Sequence, residues 1–176
     1  MPNSTTITLQ TLLPEQLRLV KTLTDHQVAF IVIGGHAVRA YSQHRPTFDL
    51  DILLSRSKNN AKKTELALSK ITKISIDKPL NSLLTQENKR LPLSNGSVHY
   101  ADLLTSIDHI EFAKCFANSR ETTIGGIILR IPCLDDLIRM KEISRDSNQN
   151  VTKKHLDQED LDALKLIQKT VASTVV

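Results

Sequence analysis

The chain has 176 residues, of which 40% are apolar and only 3% aromatic, and it carries a formal net charge of +4. Such a chain can bury a core of Leu, Ile, Val and Ala, so we expect a single domain over residues 1–176, whose mild positive charge permits a polyanionic partner without requiring one. Two cysteines exclude a disulfide scaffold, and the lack of a signal peptide or of an apolar stretch near ~18 residues predicts a cytoplasmic protein with no membrane association.

The residue pattern in the first half of the chain predicts helices and strands around a glycine turn. Apolar residues recur at roughly helical spacing, a continuous apolar run then ends at Gly34 and Gly35, and Pro46 ends the helix that follows. Beyond Pro46, apolar and polar residues alternate, which predicts a strand with two different faces. The predicted elements are a helix over 14–26, a buried strand over 28–33, a helix over 36–41 and a two-faced strand over 47–54.

The second half of the chain predicts mostly helices and one strand of particular interest. The segment SVHYADLLTS has strand character, and a regular strand would place Val98, Tyr100 and Asp102 on one face. Proline and glycine residues mark turns between elements. The predicted elements are a helix over 59–70 capped by Asn59 or Asn60, a short helix over 80–84, a strand over 97–106, a helix over 108–118, two β segments around Gly125 and Gly126, and helices over 134–144 and 154–169 joined by a polar loop.

Asp49 and Asp51 lie two positions apart in a segment that is otherwise apolar. Side chains at such positions of a strand point to the same side, so the two carboxylates would repel each other unless a cation lay between them. Oxygen ligands favour Mg²⁺ or Mn²⁺, and Asp102 could supply a third carboxylate from a neighbouring strand. Such a site suits phosphoryl or nucleotidyl transfer, although Asp49 and Asp51 could also be solvent-facing residues of an edge strand. His99 is isolated, and its spacing does not suggest a zinc site.

Gly34 and Gly35 lie between a predicted strand and a predicted helix. Backbone without side chains can approach a triphosphate closely there, and the first N–H groups of the helix would point toward it. A glycine pair alone is weak evidence, because it could be a plain tight turn. Its position shortly before the acidic strand makes a nucleotide site the more specific interpretation.

The glycine pair and the acidic strand together resemble the DNA polymerase beta-like nucleotidyltransferase superfamily, in which a strand ending in GG or GS, a helix and a D-h-D strand follow one another. The segment GGHAVRAYSQHRPTFDLDILL is similar to the minimal nucleotidyltransferase toxins of abortive-infection and toxin-antitoxin systems. In those proteins a GGxA turn precedes R-x-T-x-D-h-D. The residues that fall on this pattern are Gly34, Gly35, Arg45, Thr47, Asp49 and Asp51.

Two further segments extend the resemblance to about residues 28–167. VHYADLLTSI resembles the strand that carries the family's third carboxylate, which would be Asp102. IPCLDDLIRMKEISRD and KHLDQEDLDAL resemble the family's C-terminal helices, in which Lys141 falls on a motif position. The polar segment between these two helices is longer than the corresponding segment of the family. The alignment beyond it is therefore not fixed, and the roles of Lys154, Asp157 and Asp160 stay unassigned.

The resemblance implies an α/β fold: a mixed sheet flanked by helices, with a core over about residues 28–107 and C-terminal helices over about 134–170 that close a nucleotide cleft. It implies transfer of an NMP group from an NTP to an acceptor hydroxyl on an RNA end such as that of tRNA, or on a protein, with a cognate antitoxin as a further partner. Small-molecule adenylylation, as in antibiotic resistance, and a non-catalytic nucleotide-binding module are the alternatives. The implied roles are catalysis and Mg²⁺ or Mn²⁺ binding by Asp49, Asp51 and Asp102, and nucleotide binding by Gly34, Gly35, Arg45, Thr47 and Lys141.

Overall fold

The computed structural model describes residues 12–71, 80–124 and 127–174, and the predicted turn at Gly125 and Gly126 lies outside them. No helix in these ranges combines the length and the apolarity that crossing a bilayer requires. The described elements, in chain order, are α1 (Pro14–Asp25), β1 (Phe30–Ile33), α2 (Gly34–Tyr41), β2 (Leu50–Leu54), α3 (Lys58–Ser69), α4 (Leu80–Leu84), β3 (Arg90–Asn95), β4 (Val98–Leu104), α5 (Phe112–Asn118), β5 (Arg120–Ile124), β6 (Ile127–Ile131), α6 (Leu134–Ser147) and α7 (Val151–Thr174).

Four strands form one mixed sheet in the order β1-β2-β4-β3. β2 pairs antiparallel with β1 and parallel with β4, and the parallel pair is joined by a long connection that contains α3, α4 and β3. β3 lies at the edge, antiparallel to β4, while β5 and β6 form a separate hairpin. A mixed sheet flanked by helices confirms the predicted α/β architecture.

Apolar side chains cover the sheet on both faces. Alternate residues of β1 and β2 enter a larger cluster with helices α1, α3 and α4, and the intervening residues enter a smaller cluster with α5 and α6. Asp51 has the same side-chain direction as Leu53, so it belongs to the face of the smaller cluster. At Asp51 and its neighbour Asp102 this face changes from apolar to acidic.

Several elements begin or end at positions other than those predicted. β2 starts at Leu50, so Asp49 precedes the strand because the chain after Pro46 does not pair with a neighbouring strand. Ser57, rather than Asn59 or Asn60, caps α3, since its hydroxyl accepts a hydrogen bond from the Asn60 N–H. Further differences are that α2 begins at Gly34, that α5 begins at Phe112, that α6 extends to Ser147, and that α7 spans Val151–Thr174, which shortens the predicted polar loop to residues 148–150. The edge strand β3 was not predicted.

A β-bulge in β4 makes the predicted regular strand wrong. Ala101 pairs with Leu93 and His99 pairs with Ser94, which leaves Tyr100 as an extra residue on β4. Tyr100 is therefore buried in the larger apolar cluster instead of sharing a face with Asp102. His99 turns to the side of Asp102 in its place, and its Nε2 lies 3.2 Å from the Asp102 Oδ1.

Candidate active site

A cleft of about 510 Å³ lies where β1, β2 and β4 meet α6 and α7. The structure brings every site residue predicted from the sequence to the wall of this one cleft. These residues are Gly34, Gly35, Arg45, Thr47, Asp49, Asp51, Asp102 and Lys141. They come from four separate stretches of the chain, so their convergence is a property of the fold rather than of the motif alone.

The glycine turn forms one end of the cleft through two close contacts. Gly34 has a positive φ of 64°, and a Cβ at this position would collide with the Asp51 carboxylate, lying 3.1 Å from its Cγ. A Cβ at Gly35 would lie 2.8 Å from the Cβ of Thr47. Both positions therefore require glycine. The turn opens α2, which has no side-chain cap, so side chains do not occupy its first N–H groups.

Asp51 and Asp102 are register partners on adjacent parallel strands and form the floor of the cleft. Burial, and then the nearby Asp102, raise the pKa of Asp51 to about 6. Burial would also raise the pKa of Asp102, but the hydrogen bond and charge of Arg90 outweigh it, so this pKa lies below its ordinary value. Arg90 Nη2 donates to Asp102 Oδ2 at 2.5 Å. The two carboxylates are thus electrostatically unequal, although they lie side by side.

Asp49 differs from this pair because it lies outside the strand. Its side chain is 65% exposed and faces His99, whose Nδ1 lies 3.5 Å from Asp49 Oδ1. His99 therefore lies between Asp49 and Asp102, in contrast to its isolated position in the sequence. Its role in the site was missed because only the bulge in β4 turns it toward the carboxylates.

The described residues contain no group of three or more His, Cys, Asp and Glu side chains arranged as a ready-made metal site. Two observations nevertheless fit a hard divalent cation. Asp102 Oδ1 is buried without a hydrogen bond, although His99 Nε2 lies 3.2 Å away, and Asp51 holds a second, half-buried carboxylate beside it. Mg²⁺ commonly uses one or two protein carboxylates and completes its coordination shell with water and substrate phosphates. Asp51 and Asp102, with Asp49 at the rim, are the residues that would hold such an ion.

A buried ion-pair network forms the opposite wall of the cleft. Asp160 accepts hydrogen bonds from Arg45 Nε at 2.7 Å and from Arg45 Nη2 at 2.6 Å. Lys141 Nζ lies 2.8 Å from Asp157 and 2.7 Å from Asp160. Burial would raise the pKa of Asp160, but Arg45 and Lys141 outweigh burial and lower it. Both cations predicted to hold phosphate are therefore also structural partners of α7.

Asp157 and Asp160 were visible in the sequence but could not be assigned. They are three residues apart on α7, so they face the same side and meet Lys141 of α6 together. Arg90 was missed altogether, because nothing in its local sequence indicates that it reaches Asp102 from the edge strand.

Comparison with solved structures supports the fold, whereas comparison with protein families and curated proteins finds no match. No protein-family model matches the chain, and no curated protein does. The fold is similar to the crystal structure of an antigenic nucleotidyltransferase-like protein from Paracoccidioides brasiliensis, with a TM-score of 0.50 and 15% sequence identity. The similarity covers 87% of this chain and 77% of that chain. At this identity it shows a shared nucleotidyltransferase-like fold, and the narrower resemblance to toxins stays a prediction.

Proposed function

We propose that this protein is a metal-dependent nucleotidyltransferase that moves an NMP group from an NTP to an acceptor hydroxyl. The observation that carries the proposal is the pairing of Asp51 with Asp102 on adjacent parallel strands, directly against the Gly34 backbone. A carboxylate pair, of which Asp102 is buried and Asp51 half-buried, lies beside a side-chain-free helix N-terminus and so combines a place for a divalent cation with a place for phosphate. The similarity of fold to a nucleotidyltransferase-like protein supports the same reaction class.

In the proposed reaction, the acceptor hydroxyl oxygen bonds to the α-phosphorus of the NTP, the bond from that phosphorus to the bridging oxygen breaks, and pyrophosphate leaves. Mg²⁺ or Mn²⁺, when bound, would neutralise phosphate charge and activate the hydroxyl. Asp49 and Asp51 would orient the nucleotide through the ion, and Asp102 would help to remove the hydroxyl proton. Gly34 and Gly35 would admit the triphosphate close to the backbone of α2.

Arg45 and Lys141 would hold the nucleotide phosphates from the opposite wall. Both line the cleft, and the α7 carboxylates fix their side chains before any ligand arrives. A preorganised cation loses little conformational entropy when a phosphate binds. Thr47 lies against Gly35 and would place its hydroxyl beside the same phosphates.

A transfer assay with NTPs labelled at the α-phosphate tests the proposal. Each NTP is incubated with the protein, Mg²⁺ or Mn²⁺, and either total RNA or a protein extract, and we expect label to enter one of these fractions. Label at the γ-phosphate should not transfer, because it leaves with pyrophosphate. An Asp51→Asn variant should transfer nothing. Label in a small molecule would instead favour an antibiotic-type adenylyltransferase, and nucleotide binding without transfer to any fraction would favour the non-catalytic module.

The biological role we propose is that of a toxin controlled by a cognate antitoxin, which rests on the sequence resemblance. Induced expression in a bacterial host should then slow growth, and the Asp51→Asn variant should not slow it. Normal growth of cells that contain folded, transfer-active protein would contradict the toxin role while leaving the transferase activity intact.

A further inference from the structure

Arg90 places a positive charge next to the carboxylate pair. It lies on the edge strand β3, diagonally across from Asp102, and its guanidinium reaches Asp102 Oδ2 at 2.5 Å. Pro92 lies directly opposite Asp102 and contributes no long side chain, so the space beside the carboxylate is left to Arg90. In this structure Arg90 is therefore the positive charge in direct hydrogen-bond contact with Asp102.

The attachment of Arg90 differs from that of the other arginine and the buried lysine in the cleft. Asp160, on α7, holds Arg45 by two hydrogen bonds, and Lys141 contacts two α7 carboxylates. Within the described part of the chain, Arg90 is held by one ion pair, to Asp102, and its side chain is 61% exposed. It can leave Asp102 by rotation of its own side chain into the cleft, without any movement of the backbone.

We propose that Arg90 exchanges partners during the reaction cycle: it neutralises Asp102 in the metal-free protein, a divalent cation displaces it, and the released guanidinium then binds the phosphates of the nucleotide. This inference rests on the proposed function, since it requires a metal at Asp51 and Asp102. The physical reason is that a guanidinium and a divalent ion on one carboxylate repel each other, whereas a free guanidinium forms paired hydrogen bonds with phosphate oxygens. Arg90 would thus make the empty site stable and also recognise the nucleotide.

The opposite role is that Arg90 stays on Oδ2 and orients Asp102 toward a metal on Oδ1. A group that supports a ligand in this way strengthens metal binding, so its loss weakens the affinity. A competing cation has the opposite effect, because its removal strengthens metal binding. The sign of the change therefore separates the two roles.

The experiment measures Mn²⁺ binding to the full chain by calorimetry, and then the binding of a non-hydrolysable NTP analogue at saturating Mn²⁺. The variants are Arg90→Gln, Arg90→Lys and a matched control, Arg56→Gln. Arg56 loses the same charge and also pairs with a carboxylate, Glu87, but it follows the end of β2 that is farther from Asp51. Circular dichroism establishes that each variant is folded at the temperature used.

We expect Arg90→Gln to bind Mn²⁺ about tenfold more tightly and the nucleotide analogue about tenfold more weakly than the parent. Each change corresponds to the loss of one charge-assisted hydrogen bond: the one to Asp102 in the metal-free protein, and the one to phosphate in the nucleotide complex. Arg90→Lys keeps the charge without the paired donors, so both of its affinities should lie between those of the parent and those of Arg90→Gln. Arg56→Gln should change neither affinity.

Unchanged or weaker Mn²⁺ binding by Arg90→Gln would overturn the exchange. If the parent still loses Mn²⁺ binding on Asp51→Asn, the proposed function survives that result. Absence of Mn²⁺ binding to both the parent and Arg90→Gln would overturn the metal site of the proposed function, and the exchange with it.

Discussion

Replacing Asp51 by Asn should stabilise the metal-free protein at neutral pH. Burial and the neighbouring Asp102 raise the pKa of Asp51 from 3.8 to about 6, so the folded state binds the proton more tightly than the unfolded state does. The penalty for ionising this group fades below pH ~4, grows through the range between the two pKa values, and levels off above pH ~6. At about 1.4 kcal/mol per pKa unit, it reaches roughly 3 kcal/mol at pH ~7.5 and roughly 0.5 kcal/mol at pH ~4.

Urea unfolding of the parent and of Asp51→Asn at several pH values between about 4 and 7.5, without divalent ions, measures this penalty. The stability difference should grow by roughly 2.5 kcal/mol across that range. Asp49→Asn is the matched control: the same chemical change at a side chain that is 65% exposed should alter stability by less than about 0.5 kcal/mol. Addition of Mg²⁺ should stabilise the parent and not Asp51→Asn. A stability difference that does not change with pH would refute the reasoning that Asp51 is held as a buried, repelled carboxylate.

Three further substitutions test other parts of the site. Gly34→Ala should lower the free energy of unfolding, measured in urea, by more than the roughly 1–2 kcal/mol expected for Gly96→Ala. Both residues have positive φ, but only Gly34 abuts a carboxylate. Equal losses would mean that the Asp51 carboxylate moves aside. Asp102→Asn should still bind NTP with metal, while label transfer falls by ~10²- to 10⁴-fold; transfer at the parental rate would remove Asp102 from the mechanism. Asp160→Asn removes the buried carboxylate that Arg45 and Lys141 share, leaving Lys141 only Asp157, and should cost roughly 3–5 kcal/mol. The exposed Glu142→Gln should cost less than about 1 kcal/mol, and similar losses in the two variants would contradict a structural role for the network.

The sequence predicted the parts of the site that depend on local spacing. A strand ending in two glycines and a later acidic strand can be recognised from short-range patterns, and the fold then brings Gly34 against Asp51. The third carboxylate also follows from such a pattern, because Asp102 lies in a run of strand-forming residues. The covering helices were recognised by apolar periodicity, although their ends were not: Ser57 rather than a later Asn caps α3, and α6 extends to Ser147.

The parts that were not predicted depend on how strands pair. His99 joins the carboxylates only because β4 has one more residue than β3 between two paired positions, and no local signal marks Tyr100 as the extra residue. Arg90 reaches Asp102 because β3 lies next to β4 at the edge of the sheet, a pairing that residue spacing does not specify. Side chains placed by long-range register are therefore the ones that sequence patterns miss.

The balance of charge in the cleft bears on how a nucleotide could enter it. Among the described residues, four cations and five carboxylates line the cleft, namely Arg45, Arg90, Lys141 and Lys153 against Asp49, Asp51, Asp102, Asp108 and Asp157. Three of these cations already contact carboxylates: two are held by α7 and Arg90 by Asp102. A triphosphate alone would therefore face as much repulsion as attraction, and most strongly at the cleft floor, where the paired aspartates meet the glycine turn. Under the proposed function, phosphate can approach that turn only when a divalent charge accompanies it, so nucleotide and metal should bind as one unit and Arg90 should become available as they do.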